Sequence, residues 1–260
     1  MLYTYPMTWA MRRRLIIIAL IAAVLAGIGG AIAFAFIHQP PSCVDHKQNQ
    51  NEEGVDCGGV CTYLCSAGHS APSVRFVRPL MPIAGRTDVI AYVDNPNADS
   101  VANDLHFSIE LYSPTNTVVA KKEGTLDLPP SSTVPVFIPN FFSGSQEVAR
   151  AFITFDTPEH LWYKPQALTP APTAENIRIT FGDAPRVTAT AVNPASTNLL
   201  NVTFVVTLFD ENGNAVAASQ TLVPELGPRG KAPLVYTWNA PFTGTISRIE
   251  VIPLLPVPAP

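Results

Sequence analysis

The sequence predicts a mainly β protein: one N-terminal transmembrane helix, a small disulfide-rich segment and two tandem immunoglobulin-like β-sandwiches. Three observations carry that expectation. An uncharged apolar run fills residues 15–37; all four cysteines crowd into residues 43–65; and the remainder repeats itself once, at an offset of 97 or 98 residues.

The apolar run, LIIIALIAAVLAGIGGAIAFAFI, contains no strongly polar side chain. As a helix it extends roughly 35 Å, against about 30 Å for a bilayer's hydrocarbon core. Arg12, Arg13 and Arg14 abut its N-terminal side, while the other end opens into His38, Gln39, Pro40 and Pro41. Basic flanks stay in the cytoplasm, so residues 1–14 form a cytoplasmic tail and everything beyond 37 is translocated. The rival is a cleaved secretory signal, with Ala33-Phe34-Ala35 imitating a small-residue cleavage site; the run, however, exceeds the usual apolar region of about 7–15 residues. The expectation is therefore a signal-anchor: a single-pass plasma-membrane protein that meets the lipid bilayer through residues 15–37, with its C-terminal domains extracytoplasmic. A net charge of −4 with 14% charged residues supplies no basic field for nucleic acid.

Residues 38–73 read as a cysteine module and its linker. Cys43, Cys57, Cys61 and Cys65 lie too close together to enclose a hydrophobic core, and an even number of cysteines outside a membrane is most simply two disulfides. Three pairings fit. The spacing contains no Cys-x2-Cys pair of the kind zinc and iron–sulfur sites use. Between the cysteines, Asp45, Asn49, Asn51, Glu52 and Asp56 offer oxygen at a density that suits Ca²⁺, and suits a solvated turn region equally. Cys43, Asp45, Asn49, Glu52, Gly54, Asp56, Cys57, Gly58, Gly59 and Cys61 together resemble the surface-protein cysteine module C-x-D-G-x-x-N-x-x-E-x-G-x-D-C-G-G-x-C-x-x-C. Two departures stand out: His46 replaces the glycine, and Cys65 comes one residue late. The resemblance implies an extracellular setting and carries no chemistry.

Residues 74–156 and 176–253 are the two sandwich domains. DVIAYVDNPNA from Asp88 aligns with RVTATAVNPAS from Arg186, and LHFSIELYSPTNTVV from Leu105 with VTFVVTLFDENGNAV from Val202. Pro135 then meets Pro233, and Arg150 meets Arg248. Leu105, Phe107, Ile109 and Leu111 alternate with His106, Ser108, Glu110 and Tyr112, the period of a half-buried strand; in the second copy Val202, Phe204, Val206 and Leu208 take the inward positions. Asn212-Gly213 signals a hairpin because both residues tolerate positive φ. Six or seven strands per copy, with turn signals every 8–12 residues or so, suit an immunoglobulin-like sandwich. Thr207-Leu208-Phe209-Asp210 and the turn after it, and less closely Glu110-Leu111-Tyr112-Ser113, resemble FxLYD and related late-embryogenesis-type domains. That resemblance implies the fold and is nearly silent on function.

The Pro-rich linker 157–175 is expected to be a semi-rigid spacer, and it contains three large side chains, Leu161, Trp162 and Tyr163. They either seal a domain joint or form an exposed aromatic contact site. Residues 254–260 are a Pro-rich tail, floppy or docked. No HExxH, G-x-S-x-G or phosphate-cradling glycine loop occurs, and the five histidines fall in loops, linker and a solvent-facing strand position. The functional expectation is non-enzymatic: tandem domains presented for contact with membrane or cell-surface proteins. The alternative is an extracellular module for carbohydrate or Ca²⁺.

Overall fold

A computed structural model describes residues 8–37, 42–158, 161–242 and 244–258. Part of each expected tail, together with His38 and His160, lies outside them. The single long helix, α1 (Trp9–Ile37), starts ahead of the apolar run and takes in the three arginines. It is long and apolar enough to cross a membrane, and among the described residues its apolar window is fully exposed.

Among the described residues, thirteen strands follow the cysteine segment. The first half holds β1 (Ser73–Ile83), β2 (Arg86–Asp94), β3 (Val101–Tyr112), β4 (Val118–Leu128), β5 (Thr133–Ser143), β6 (Arg150–Asp156) and β7 (Trp162–Tyr163). The second half holds β8 (Thr173–Thr180), β9 (Arg186–Val192), β10 (Leu199–Phe209), β11 (Ala215–Leu226), β12 (Lys231–Thr237) and β13 (Arg248–Leu254). Sheets ordered β1-β2-β5 and β4-β3-β6 face each other across one core, and sheets β12-β9-β8 and β11-β10-β13 across another. All ladders are antiparallel, and equivalent residues meet in both halves: Leu111 lies opposite Ala120 as Leu208 lies opposite Ala217.

The expected inward sets are the buried ones. Leu105, Phe107, Ile109 and Leu111 enter the first core; Val202, Phe204, Val206 and Leu208 enter the second. The Asn-Pro positions have an internal task. Asn95 and Asn193 are both buried, and each donates from Nδ2 to three main-chain carbonyls, including those of Leu128 and Leu226 respectively. Each thereby satisfies loop carbonyls that would otherwise be stranded away from water.

The two sandwiches are not beads on a spacer. A third cluster lies between them, joining Leu80, Ile90 and Tyr92 of the first to Val205, Phe209 and Ala218 of the second. Alternation places these residues on the outer faces of β1-β2-β5 and β11-β10-β13, so the four sheets stack as layers. This is why β2 is buried along nearly its whole length: both of its faces are covered. Phe76, Tyr92 and Phe209 make an aromatic triangle with centroids 4.8–6.1 Å apart, and the Arg248 guanidinium lies 4.0 Å over the Phe209 ring. Arg78 adds a 2.8 Å hydrogen bond to Asn214 across the joint. The linker is likewise no free spacer. Its β7 pairs with the start of β3, and the second sandwich begins at Thr173.

Candidate interaction site at the base of the first sandwich

The cysteine module closes through Cys43–Cys61 and Cys57–Cys65. Its acidic side chains are turned inward to tie the loop. Asp56 is buried and accepts the backbone N–H groups of Asp45 and His46, one on each oxygen. Asp45 accepts from Lys47 N–H and Asn49 Nδ2, and Glu52 from Asn49 N–H. The Asn49 bond leads in holding the Asp45 carboxyl below its usual range. Gly59 is obligatory: its φ is +58°, and a Cβ there would stand 1.9 Å from the Asn51 carbonyl.

Of the residues expected to suit calcium, Asp45, Asn49, Glu52 and Asp56 are brought together by these bonds, while Asn51 is exposed, its backbone carbonyl against Gly59. Cys43, Glu52 and Cys61 also converge. The two sulfurs are bonded to each other, so they offer no thiolate, and the 3.1 Å approach of Glu52 Oε1 to Cys61 Sγ involves no S–H donor. Both oxygens of Asp45 and of Asp56 are engaged by N–H donors, so a cation there would have to displace bonds that tie the loop. Adding millimolar Ca²⁺ or excess chelator should therefore leave the melting temperature unchanged. A calcium-dependent rise of several degrees would restore the ligand set.

The module is docked rather than dangling. Leu64 N–H donates to the Trp162 carbonyl, Tyr63 bridges to Tyr163, and Ser70 exchanges two hydrogen bonds with the Asn97 side chain. His69 stacks on Trp162 with 5.1 Å between centroids, and burial lowers its pKa.

Of the two readings of Leu161, Trp162 and Tyr163, a sealed joint or an exposed contact site, their burial fits the first. All three are buried, Trp162 and Tyr163 to 1% exposure. Leu161 and Trp162 belong to the first sandwich's core, against which Leu64 of the module also packs. Tyr163 instead joins Val101, Tyr63 and Val257 in a small separate cluster. Burial raises the Tyr163 phenol's pKa.

Val257 was not legible as a site residue. It belongs to the tail after β13, which leaves the second sandwich and returns to the first. Val257 N–H donates to Asp127 Oδ2 at 3.0 Å, Tyr163 donates to the Pro258 carbonyl, and Asn103 Nδ2 reaches the Val257 carbonyl at 3.5 Å. Module, linker, tail and first sandwich thus meet around one tyrosine. The sequence signal was present only as a proline spacing, Pro256-Val257-Pro258.

No family model matches the chain, and no curated protein matches it. Among solved structures it is similar to red sea bream transglutaminase, at 11% identity and a TM-score of 0.23, over 71% of this chain and 29% of that one. The chain thus spans less than a third of that protein, and a likeness at this level carries no argument about activity.

Proposed function

We propose that this is a non-enzymatic, single-pass plasma-membrane protein that holds a rigid pair of immunoglobulin-like domains on the outer face for protein–protein contact in envelope assembly. On this reading α1 is a retained signal-anchor with residues 1–14 in the cytoplasm, and the two sandwiches are copies of one FxLYD-like domain behind a surface-type cysteine module. The observation that carries it is the docking of the disulfide-closed module onto the first sandwich, which is itself packed on the second. A stalk serves presentation when few joints lie between anchor and display surface, and here the described chain from Ser42 onward is continuously packed. The three arginines beside the apolar run support the orientation.

Purification of the full chain in mild detergent, with mass spectrometry of what accompanies it, tests the reading. The expected result is an intact N-terminal peptide and a stoichiometric protein partner. A processed N-terminus would remove the anchor, and a lone monomer after cross-linking would remove the assembly role.

A further inference from the structure

The tail's backbone is held at Val257 and Pro258. Pro256 and Pro258 have no N–H to satisfy, and the single N–H between them, that of Val257, is taken by Asp127. The Val257 and Pro258 carbonyls are met by Asn103 and Tyr163. The Val257 side chain is buried between Tyr63, Tyr163 and Val101, and the two tyrosine rings meet edge-on at 6.3 Å. The residues that read the tail are side chains at fixed positions on β3, β4 and β7 and in the stapled module, not a sheet ladder. An aromatic-walled slot with donors and acceptors aimed at an extended backbone is how proline-rich segments are recognised elsewhere. The slot also does not end where the described tail does. Pro258 lines a cleft of about 760 Å³ between module and linker, whose lining also includes Glu53 and Lys164.

We infer that this slot is a peptide-binding site for proline-flanked aliphatic segments of a partner protein, occupied in cis by the chain's own Pro256-Val257-Pro258. The inference rests on the contact role proposed above and names the chemistry of one such contact. Cis occupancy makes the site conditional: a tethered tail acts at an effective concentration near the millimolar range, so a partner segment must displace it and its apparent affinity falls by the fraction of time the slot is open.

The test uses a labelled synthetic peptide, Leu-Leu-Pro-Val-Pro-Ala-Pro, titrated by fluorescence anisotropy against the full chain in detergent, against a chain ending at Leu255, and against the full-length Val257→Asp variant. The slot is empty by deletion in the second and by charge in the third. Both variants are expected to bind saturably, at least ~tenfold tighter than the wild type, and the peptide with aspartate in place of valine is expected not to bind. Asp127→Ala in the Leu255-terminated chain should weaken binding while the melting temperature holds. Absence of saturable binding to either emptied chain, with either one melting cooperatively, overturns the slot. It would leave the assembly proposal standing, because co-purification reads partners on any surface; conversely, peptide binding without a co-purifying partner would uphold the slot alone.

Discussion

Replacing Trp162 by alanine should cost the first sandwich about 3–5 kcal/mol, the loss expected for removing a fully buried tryptophan. The side chain is 1% exposed and closes one end of the core beside Leu105, Leu128 and Leu161. It also forms the platform on which His69 stacks, so the cavity would open under the cysteine module as well as inside the sandwich. For a domain of this size the loss corresponds to a fall of roughly 4–8 °C in melting temperature per kcal/mol. Module residues around Ser66–Gly68 should at the same time become open to protease. Trp162→Phe should be far milder: it keeps most of the ring, and the Nε1–H it deletes is buried without a partner. A thermal melt of Trp162→Ala within ~2 °C of wild type would mean that the linker does not complete the core.

This residue also marks how far the sequence could be read. Strand identity was legible, because alternation over Leu105–Leu111 and its counterpart from Val202 requires one buried face, and the buried sets are those. The cysteine crowding required staples, though the pairing of Cys43 with Cys61 depends on a loop path that spacing does not encode. The position of Leu161-Trp162-Tyr163 was ambiguous for a physical reason: a short apolar run in a proline-rich segment looks the same whether it is covered or offered. Only the tertiary path decides, and here it adds β7 to β3. The tail slot was invisible because its walls come from segments far apart in sequence, Tyr63, Asn103, Asp127 and Tyr163. The joint was partly visible in retrospect. Strands buried on both faces read as continuous apolar runs rather than alternation, as β2 does in Val89–Val93.

Lysine at Phe209 should open the pair of sandwiches, whereas lysine at Tyr112, which occupies the equivalent register position, should leave the chain unchanged within about 1 kcal/mol. Tyr112 lies opposite Arg150 just as Phe209 lies opposite Arg248. Yet Phe209 is buried against Phe76 and Tyr92, where lysine would lose that packing and set its ammonium beside Arg248, itself already paired with Glu250, while Tyr112 is half-buried, edge-on to Phe152 and hydrogen-bonded to Glu110. The difference follows from how the halves meet. The joint presses β1-β2-β5 of the first sandwich on β11-β10-β13 of the second, whose register counterpart in the first is β4-β3-β6. Unlike faces therefore meet, and such head-to-tail contacts propagate unless something stops them. The chain's open outer faces, on β4-β3-β6 and β12-β9-β8, carry the stop. Where the joint has Ile90 and Tyr92, the open counterpart has Thr188 and Thr190; where it has Val205, Ala218 and Ile252, the other open face has Ser108, Lys121 and Thr154. Lys121 and Thr154 are exposed and stay hydrated at little cost, so burying them against another copy would strand them; Ser108 Oγ, by contrast, is already shielded from solvent. Small-angle scattering should show a larger radius of gyration for Phe209→Lys with each sandwich still melting cooperatively, and an unchanged one for Tyr112→Lys. If both variants kept the compact radius, the aromatic triangle would not be what holds the sandwiches together; if Tyr112→Lys opened the pair, the assignment of unlike faces would be wrong.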